Sequence, residues 1–375
     1  MRNYPFGESH AFPRNQWYIA AWSDEITDRA LARVILNQNI VLFRSASGAV
    51  TALSGLCPHR WAPLAGGVVA GDTIACPYHG ARFNTDGRCT SVPFQSHIPS
   101  ALRLRAYAVL ERGGIVWIWP GDEDAVDLSL LPQTESLGLG VPGWRLDVSP
   151  TLLVKARAPI LLENLFDQSH VGFTHVASLG PRETQAKLPK PSEIIDLPHY
   201  LSFRHEPTVR ATDASVRAVF PDVGAHMAIL LRTELFGVAL INCVGTQTLA
   251  TDAQGGARRS VGQMNFLHGV TPATNTTTHY FNAMTRDFAL DDAALWRVLE
   301  QRNIQVVQED VAMLEAIEPF LDAHGDTSAE VNFMTDAAAM RVRRRIERLI
   351  AQEAKGTANP REAALAQGGL ELIST

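Results

Sequence analysis

Four residues in the first third of the chain, Cys57, His59, Cys76 and His79, come as two short pairs, Cys57-x-His59 and Cys76-x-x-His79, with sixteen residues (60 to 75) between them. Each pair offers one thiolate and one imidazole from a tight turn that Pro58 or Pro77 stiffens. Two such loops can clamp one metal object. In a Rieske-type [2Fe-2S] cluster two Cys hold one iron and two His hold the other, and the imidazoles raise the reduction potential above that of an all-Cys cluster. A structural zinc would accept the same ligand types, but zinc pairs usually come as two Cys together and two His together. One of each per loop favours the cluster. Gly66, Gly67 and Gly80 leave room for the loops to close around sulfur. Cys89 and Cys243 have no such company and read as buried or idle thiols.

A second group lies in residues 163 to 175, ENLFDQSHVGFTH, which contain Asn164, Asp167, His170 and His175. On a regular helix Asn164, Asp167 and His170 share a slowly drifting face, whereas His170 and His175 would point about 140° apart. The helix must therefore loosen or end between the histidines, at Gly172 or through a π-type widening. Brought together, two histidines need one carboxylate to complete the 2-His-1-carboxylate triad of non-haem Fe(II) oxygenases, which leaves positions open for O2 and substrate. Asp310 is the expected carboxylate, because it interrupts an apolar stripe where an unpaired charge is costly. Glu309 and Glu315 are the alternatives. A His-x4-His pair alone is common; in a chain that already carries a cluster motif it gains meaning, since a one-electron carrier and an oxygen-activating iron are complementary parts.

The elements that must hold these groups are of two kinds. From Trp17 to Val50, and again through Val109-Leu110 and Ile115 to Trp119, short apolar runs alternate with polar or Gly breaks, the pattern of short strands and hairpins. Pro120 to Asp124 breaks that pattern with turn chemistry and charge. The division expected is a small all-β domain over 1–122 and a larger α+β domain over 123–375. In the second, Ala158 to Thr174 reads as helix, Leu201 to Phe281 as strands, and a long helix follows from Asp291. In that helix Val306, Leu314, Ile317 and Leu321 recur at helical spacing with Asp310 among them. Ala337 to Ile350 reads as a further helix with a basic exposed face of Arg341, Arg343, Arg344, Arg345 and Arg348. The tail after Lys355 reads as loose.

With 375 residues, 33 basic and 39 acidic, the chain has a net charge of −6 and no broad positive surface for nucleic acid. No apolar run reaches bilayer length, and the start, Met1 to Pro5, lacks the apolar core of a secretory signal. No membrane partner and a cytoplasmic location are expected, and four cysteines make no disulfide framework. No G-x-G-x-x-G fingerprint for flavin or nicotinamide occurs, so electrons must come from a separate reductase or ferredoxin.

The two motifs together resemble those of the Rieske non-haem iron oxygenases, in particular the oxygenase components of the vanillate and dicamba O-demethylase branch, from Asn15-Gln16-Trp17-Tyr18 through the final helix. The resemblance implies a helix-grip catalytic domain, an antiparallel sheet with a long helix. It implies that Cys57, His59, Cys76 and His79 ligate the cluster and that His170, His175 and Asp310 bind mononuclear Fe(II). Asp167, with Asn164 beside it as a further catalytic candidate, would bridge cluster and iron across a subunit boundary in a head-to-tail homotrimer. His268 falls where the demethylases have a substrate-contacting histidine, and Asn242 is a pocket candidate of the same kind. Ala81 departs from the family, which often has Trp after His-Gly, and puts the packing around the cluster in question. The function implied is hydroxylation or O-demethylation of a small aromatic substrate with O2. Ring dioxygenation, a Rieske electron carrier without oxygenase activity, and a zinc-stabilised binding module are the other readings.

Overall fold

The computed structural model describes residues 12–180, 191–251, 258–324, 330–355 and 370–371; the first residues and most of the tail after Lys355, on which two expectations fell, lie outside them. The first part of the chain is built from ten short strands in three antiparallel sheets. One sheet joins β1 (Tyr18–Trp22), β10 (Ile115–Trp119) and β9 (Ala108–Arg112). A second joins β2 (Leu31–Ile35), β3 (Gln38–Arg44) and β4 (Val50–Ser54). The third, β5 (Val68–Ala70), β6 (Thr73–Ala75), β7 (Arg82–Asn84) and β8 (Cys89–Ser91), rises between and beyond the two Cys/His loops. β10 is buried at every position, which explains why its sequence, IVWIW, is apolar without alternation. After it, residues 120–144 carry only three short 3-10 turns.

The second part is dominated by one ten-stranded sheet. Its main path runs β11 (Arg145–Val148), β19 (Thr277–Arg286), β18 (Arg258–Thr274), β17 (Leu240–Thr251), β16 (His226–Phe236), β14 (Tyr200–Arg204), β13 (Glu193–Leu197) and β20 (Leu370–Glu371). β12 (Leu152–Val154) also pairs with β19, and β15 (Thr208–Ala211) with β16. The helices are α1 (Ala158–Phe166), α2 (Val171–Thr174), α3 (Val176–Leu179), α4 (Ala214–Val219), α5 (Ala293–His324) and α6 (Ala337–Ala354).

Alternation along the strands gives the sheet two apolar faces. Leu240, Leu267, Phe281 and Ala283 gather with Trp17, Trp117 and Trp119 of the first part. Their strand neighbours Ile241, Val270 and Tyr280 gather with Leu161 and Leu165 of α1, Val307 and Leu314 of α5, and Val342 of α6. The β2–β3 turn fastens the first face. Leu36 and Asn37 both adopt positive φ (49° and 63°), a conformation that costs a side-chain-bearing residue about 1–2 kcal/mol. Their N–H groups then donate to Pro272 O and Ala273 O at 2.9 Å each.

Two expected helical stripes shift in phase. On α5 the buried positions are Val307, Asp310, Leu314 and Glu318, while Ile317 is exposed. On α6 Arg343 and Arg345 are buried rather than solvated, because Arg343 pairs with Glu163 and Glu330, and Arg345 with Asp196. Charge compensation lets a guanidinium stand where composition alone suggests water.

Candidate metal centres

The two Cys/His loops are near copies of one another. Cys57 N donates to Ala62 O at 2.9 Å and Trp61 N to Cys57 O at 2.8 Å; Cys76 N donates to Ala81 O at 2.8 Å and Gly80 N to Cys76 O at 3.0 Å. The fourth residue after each cysteine takes a positive φ, Trp61 at 56° and Gly80 at 72°. The turns put both thiols inside and both imidazoles outside. Cys57 and Cys76 are buried with Leu64, Ile74, Phe83 and Ala81, so the departure at Ala81 leaves a closed apolar bed beneath the sulfurs. Gly67 is needed here, since a Cβ would fall 2.1 Å from Ala75 O, whereas at Gly66 it would meet only ordinary contact with Pro77 at 3.6 Å.

His59 Nδ1 and His79 Nδ1 face each other at 3.2 Å. Burial, with the Cys76 sulfur adding to it, raises the Cys57 thiol above its ordinary pKa. Two buried thiols beside two converging imidazole nitrogens are the donor set a [2Fe-2S] cluster fills. Cys89 only approaches Ser91 O at 3.5 Å.

The second site joins residues 135 positions apart in the chain. α1 ends at Phe166, Asp167 turns extended, and His170 and His175 flank the single turn of α2. The expected break is therefore real but is found before His170 and at His175 (φ −102°, ψ 30°), not at Gly172. Across from them Asp310 projects from α5. His170 Nε2 and His175 Nε2 each stand 3.2 Å from Asp310 Oδ1 and 3.2 Å from one another. Three donors at roughly 2.2 Å from one ion, at right angles, stand about 3.1 Å apart, so one small cation fits the group as three adjacent ligands.

The surroundings orient each donor. Glu309 accepts from His175 Nδ1 at 2.9 Å and from Ser178 Oγ at 2.6 Å, which turns the Nε2 of His175 toward Asp310. The neighbour of Asp310 thus holds a ligand in place instead of competing with it. Glu315 is occupied elsewhere, by Lys155 N at 2.8 Å. Asn164 Nδ2 donates to Asp310 Oδ1 at 3.2 Å. Asp167 Oδ1 accepts from Ser169 N at 2.7 Å, while its Oδ2 lies 3.8 Å from His170 Nδ1, beyond hydrogen-bond range. His170 Nδ1 consequently has no hydrogen-bond partner among the described residues.

Burial lowers the His170 pKa, but Asp167 and Asp310 outweigh it and raise the value to about 9. Burial likewise raises Asp310, yet His170 and His175 reverse this and hold its carboxyl far below the usual range. Without a cation the group stores protons; a cation replaces them. Farther out, Arg157 donates Nη2 to Glu318 Oε1 at 2.6 Å and its backbone N to Glu318 Oε2 at 2.8 Å, tying the start of α1 to α5.

His268 and Asn242 separate on the sheet. His268 pairs with Ile241 and Asn282 and shares their helix-facing side, where Asp310 influences it. Tyr280 Oη lies 2.7 Å from its Nδ1, and burial pushes its pKa down to about 4. Asn242 pairs with Leu267 and points to the other side, donating to Glu234 Oε2 at 2.8 Å and Asn265 Oδ1 at 3.2 Å. That placement corrects its expected role in the pocket: period-two alternation turns adjacent strand residues to opposite faces. Cys243, one residue on, faces the helices instead, its Sγ 3.3 Å from Leu165 O and its thiol pushed up by burial to about 12. Arg157, Glu318, Tyr280 and Asn282 belong to no motif in the sequence. Alternation on β19 with His268 opposite was the one signal available for the last two.

Residues 16–104 match the Rieske [2Fe-2S] domain, and residues 154–352 match the vanillate O-demethylase oxygenase C-terminal domain. The chain is 31% identical over 365 residues to the oxygenase component of dicamba O-demethylase from Stenotrophomonas maltophilia, covering 92% of this chain and 99% of that protein. To the vanillate O-demethylase oxygenase subunit of a Pseudomonas species (strain HR199) it is 29% identical over 351 residues, 91% and 96% of the two chains. The crystal structure of dicamba monooxygenase bound to 3,6-dichlorosalicylic acid superposes with a TM-score of 0.78 at 28% identity, over 92% of this chain and 99% of that one. Another of that protein, with non-haem iron and dicamba, gives 0.74. The chain therefore belongs to the family of Rieske oxygenase components that carry the vanillate O-demethylase C-terminal domain, with a [2Fe-2S] cluster and a mononuclear iron as its cofactors.

Proposed function

We propose that this chain is the terminal oxygenase of a multicomponent monooxygenase that hydroxylates or O-demethylates a small aromatic substrate, fed by a separate reductase or ferredoxin. The observation that carries the reading is the convergence of His170, His175 and Asp310 within 4.8 Å in a chain that also carries two matched Cys/His loops. When bound, the cluster supplies single electrons and the iron supplies O2 activation. Cys57, Cys76, His59 and His79 would hold the first group; His170, His175 and Asp310 would hold the second, leaving open positions because three side chains converge among the described residues. Glu309 fixes the His175 tautomer, and Asn164 steadies Asp310. Insertion at a methoxy carbon gives a hemiacetal that loses formaldehyde, which is O-demethylation. The relatives named dicamba and vanillate O-demethylase favour it over ring dioxygenation.

A division of labour near residues 122 and 123 is supported by the end of β10 at Trp119 and the strand-free stretch after it. We also propose a head-to-tail trimer in which one protomer's cluster faces its neighbour's iron. His59 is exposed at the cluster end, and Trp61 and Tyr78 on the same two loops are exposed with it. At the iron end Phe173, Val176, Ile317 and Phe320 are exposed too. Two unlike apolar patches suit a heterologous contact that closes into a ring. Asp167, with its Oδ2 3.8 Å from His170 Nδ1 and its side chain 26% exposed, can then join His170 to an imidazole of the next protomer.

Purified protein should contain about three irons and two acid-labile sulfides per chain. It should consume oxygen with a reductase and a methoxylated aromatic, releasing formaldehyde. Protein with no labile sulfide, or with turnover untouched by His170→Ala, ends this reading. Sedimentation should give three chains per particle, and Phe320→Asp should shift it toward one; a monomeric active enzyme rules out the trimer.

A further inference from the structure

The helix-facing side of the sheet is incompletely filled. Leu231, Cys243, Met264 and Phe266, on middle strands, remain half-buried, whereas Leu240, Leu267, Phe281 and Ala283 on the opposite face are closed. Those half-buried side chains form an apolar stretch on the side of the sheet that meets the helices carrying Asn164 and Asp310. At its inner end His268 and Asn282 stand directly across from one another on β18 and β19, both pointing to that side. Asp310 acts electrostatically on His268, Tyr280 and Cys243, so this end borders the iron ligands.

Both groups have unused hydrogen-bonding capacity. The Tyr280 hydroxyl and His268 Nδ1 share a hydrogen bond at 2.7 Å, and with the hydroxyl as donor the imidazole proton stands on Nε2. Asn282 is 2% exposed and its amide lies close enough to His268 to act on it, yet neither its Nδ2 nor its Oδ1 makes a well-formed hydrogen bond to any described residue. A buried amide with donor and acceptor both unfilled is costly and rare enough to need a ligand or a water to account for it. We infer that Asn282 and His268 form a specificity-determining pair that takes an uncharged amide-type edge of the substrate, a C=O beside an N–H.

The chemistry follows from the planar amide. A side-chain carboxamide offering N–H and C=O side by side is matched by the same pair reversed, and the substrate carbonyl keeps a second lone pair for His268 Nε2–H. Charge argues against a carboxylate at this end. Neither residue of the pair carries charge, and a carboxylate would exchange water for neutral donors alone. The guanidinium on the same face, Arg286, is four residues farther along β19, about 13 Å away at strand spacing.

This inference rests on the aromatic oxygenase reading, but binding tests it without turnover. The iron-loaded protein is titrated calorimetrically with benzamide, acetophenone and benzoate, probes of similar size that offer the full edge, the carbonyl alone and an anion. Wild type should bind benzamide about 10-fold more tightly than either of the others. Asn282→Leu should abolish that preference and melt at a higher temperature without ligand, because it removes the unfilled groups. Asn282→Ala serves for the binding arm if the leucine variant does not fold. Equal binding of the three probes by wild type, a preference that survives both variants, or a lower melting temperature in Asn282→Leu overturns the proposal, the last by marking a structural, water-filled amide. Oxygen uptake without amide preference sinks the pair alone; amide-selective binding without oxygen uptake sinks the oxygenase reading alone.

Discussion

The two metal centres are held by opposite strategies. The Cys/His loops are local: each carries its two ligands within four residues, and each is closed by a pair of backbone hydrogen bonds that recurs in the other. The His/His/Asp group is assembled from a broken helix and a helix far away in the chain, and its geometry depends on side chains, Glu309 behind His175, Asn164 on Asp310 and the Arg157–Glu318 pair between α1 and α5. A cluster that only passes electrons is well served by rigid backbone turns with imidazoles at the surface. A metal that must admit O2 and substrate needs a buried group with one side left open, and burial calls for compensating charge.

The contrast can be broken most severely at the ligands. His170→Ala should abolish turnover and mononuclear iron while the visible spectrum of the cluster persists; Cys57→Ala should bleach the protein while the triad still takes up Fe(II). Loss of both metals in either variant would mean that the two regions are not separately built. Next in size is the long-range clamp. Glu318→Ala removes the buried Arg157–Glu318 ion pair and should cost about 3 kcal/mol in denaturant unfolding, with iron occupancy falling before cluster occupancy. An unchanged midpoint would show that α1 and α5 are held by other contacts.

A smaller effect is expected at Asp167. Asp167→Asn keeps the side chain's shape but should slow turnover roughly 10- to 100-fold with both metals retained, read by iron analysis beside the steady-state rate. Full activity in that variant removes Asp167 from the electron path. The mildest test is pH applied to metal-free protein. His170 has a folded pKa of about 9, above its ordinary 6.5, so its contribution to stability is complete below pH 6.5 and lost as pH rises through 9. Asp310 is depressed, so its contribution is present above the ordinary carboxylate range and fades only in strong acid. The melting temperature of the metal-free protein should therefore fall from pH 6.5 to 9, and Fe(II) uptake should release protons and tighten across the same interval. A flat profile would mean the triad is not charged as its geometry requires.

What could be read from the residues alone follows the same division. The two Cys/His pairs proposed to hold the cluster stand out in the sequence because their spacing is local and a turn of three or four residues has few ways to fold. The histidines of the second centre were legible as a pair, and the conflict between their spacing and a regular helix correctly demanded a break, although not where it occurs. Asp310 can be argued from a charge within an apolar stripe, of which Leu314 is buried as expected while Val307 and Glu318 take the places of Val306 and Ile317.

Which strand face a residue takes was beyond reach. Asn242 and His268 looked alike as pocket candidates, and only the register of β17 against β18 sends them to opposite sides of the sheet. Arg343 and Arg345 looked solvated until Glu163, Glu330 and Asp196 came to meet them. Ligand identity is written in short segments, because metal donors must be particular atoms at particular spacings. Face, partner and cavity are decided by contacts between segments distant in the chain, and alternation by one residue is enough to reverse them.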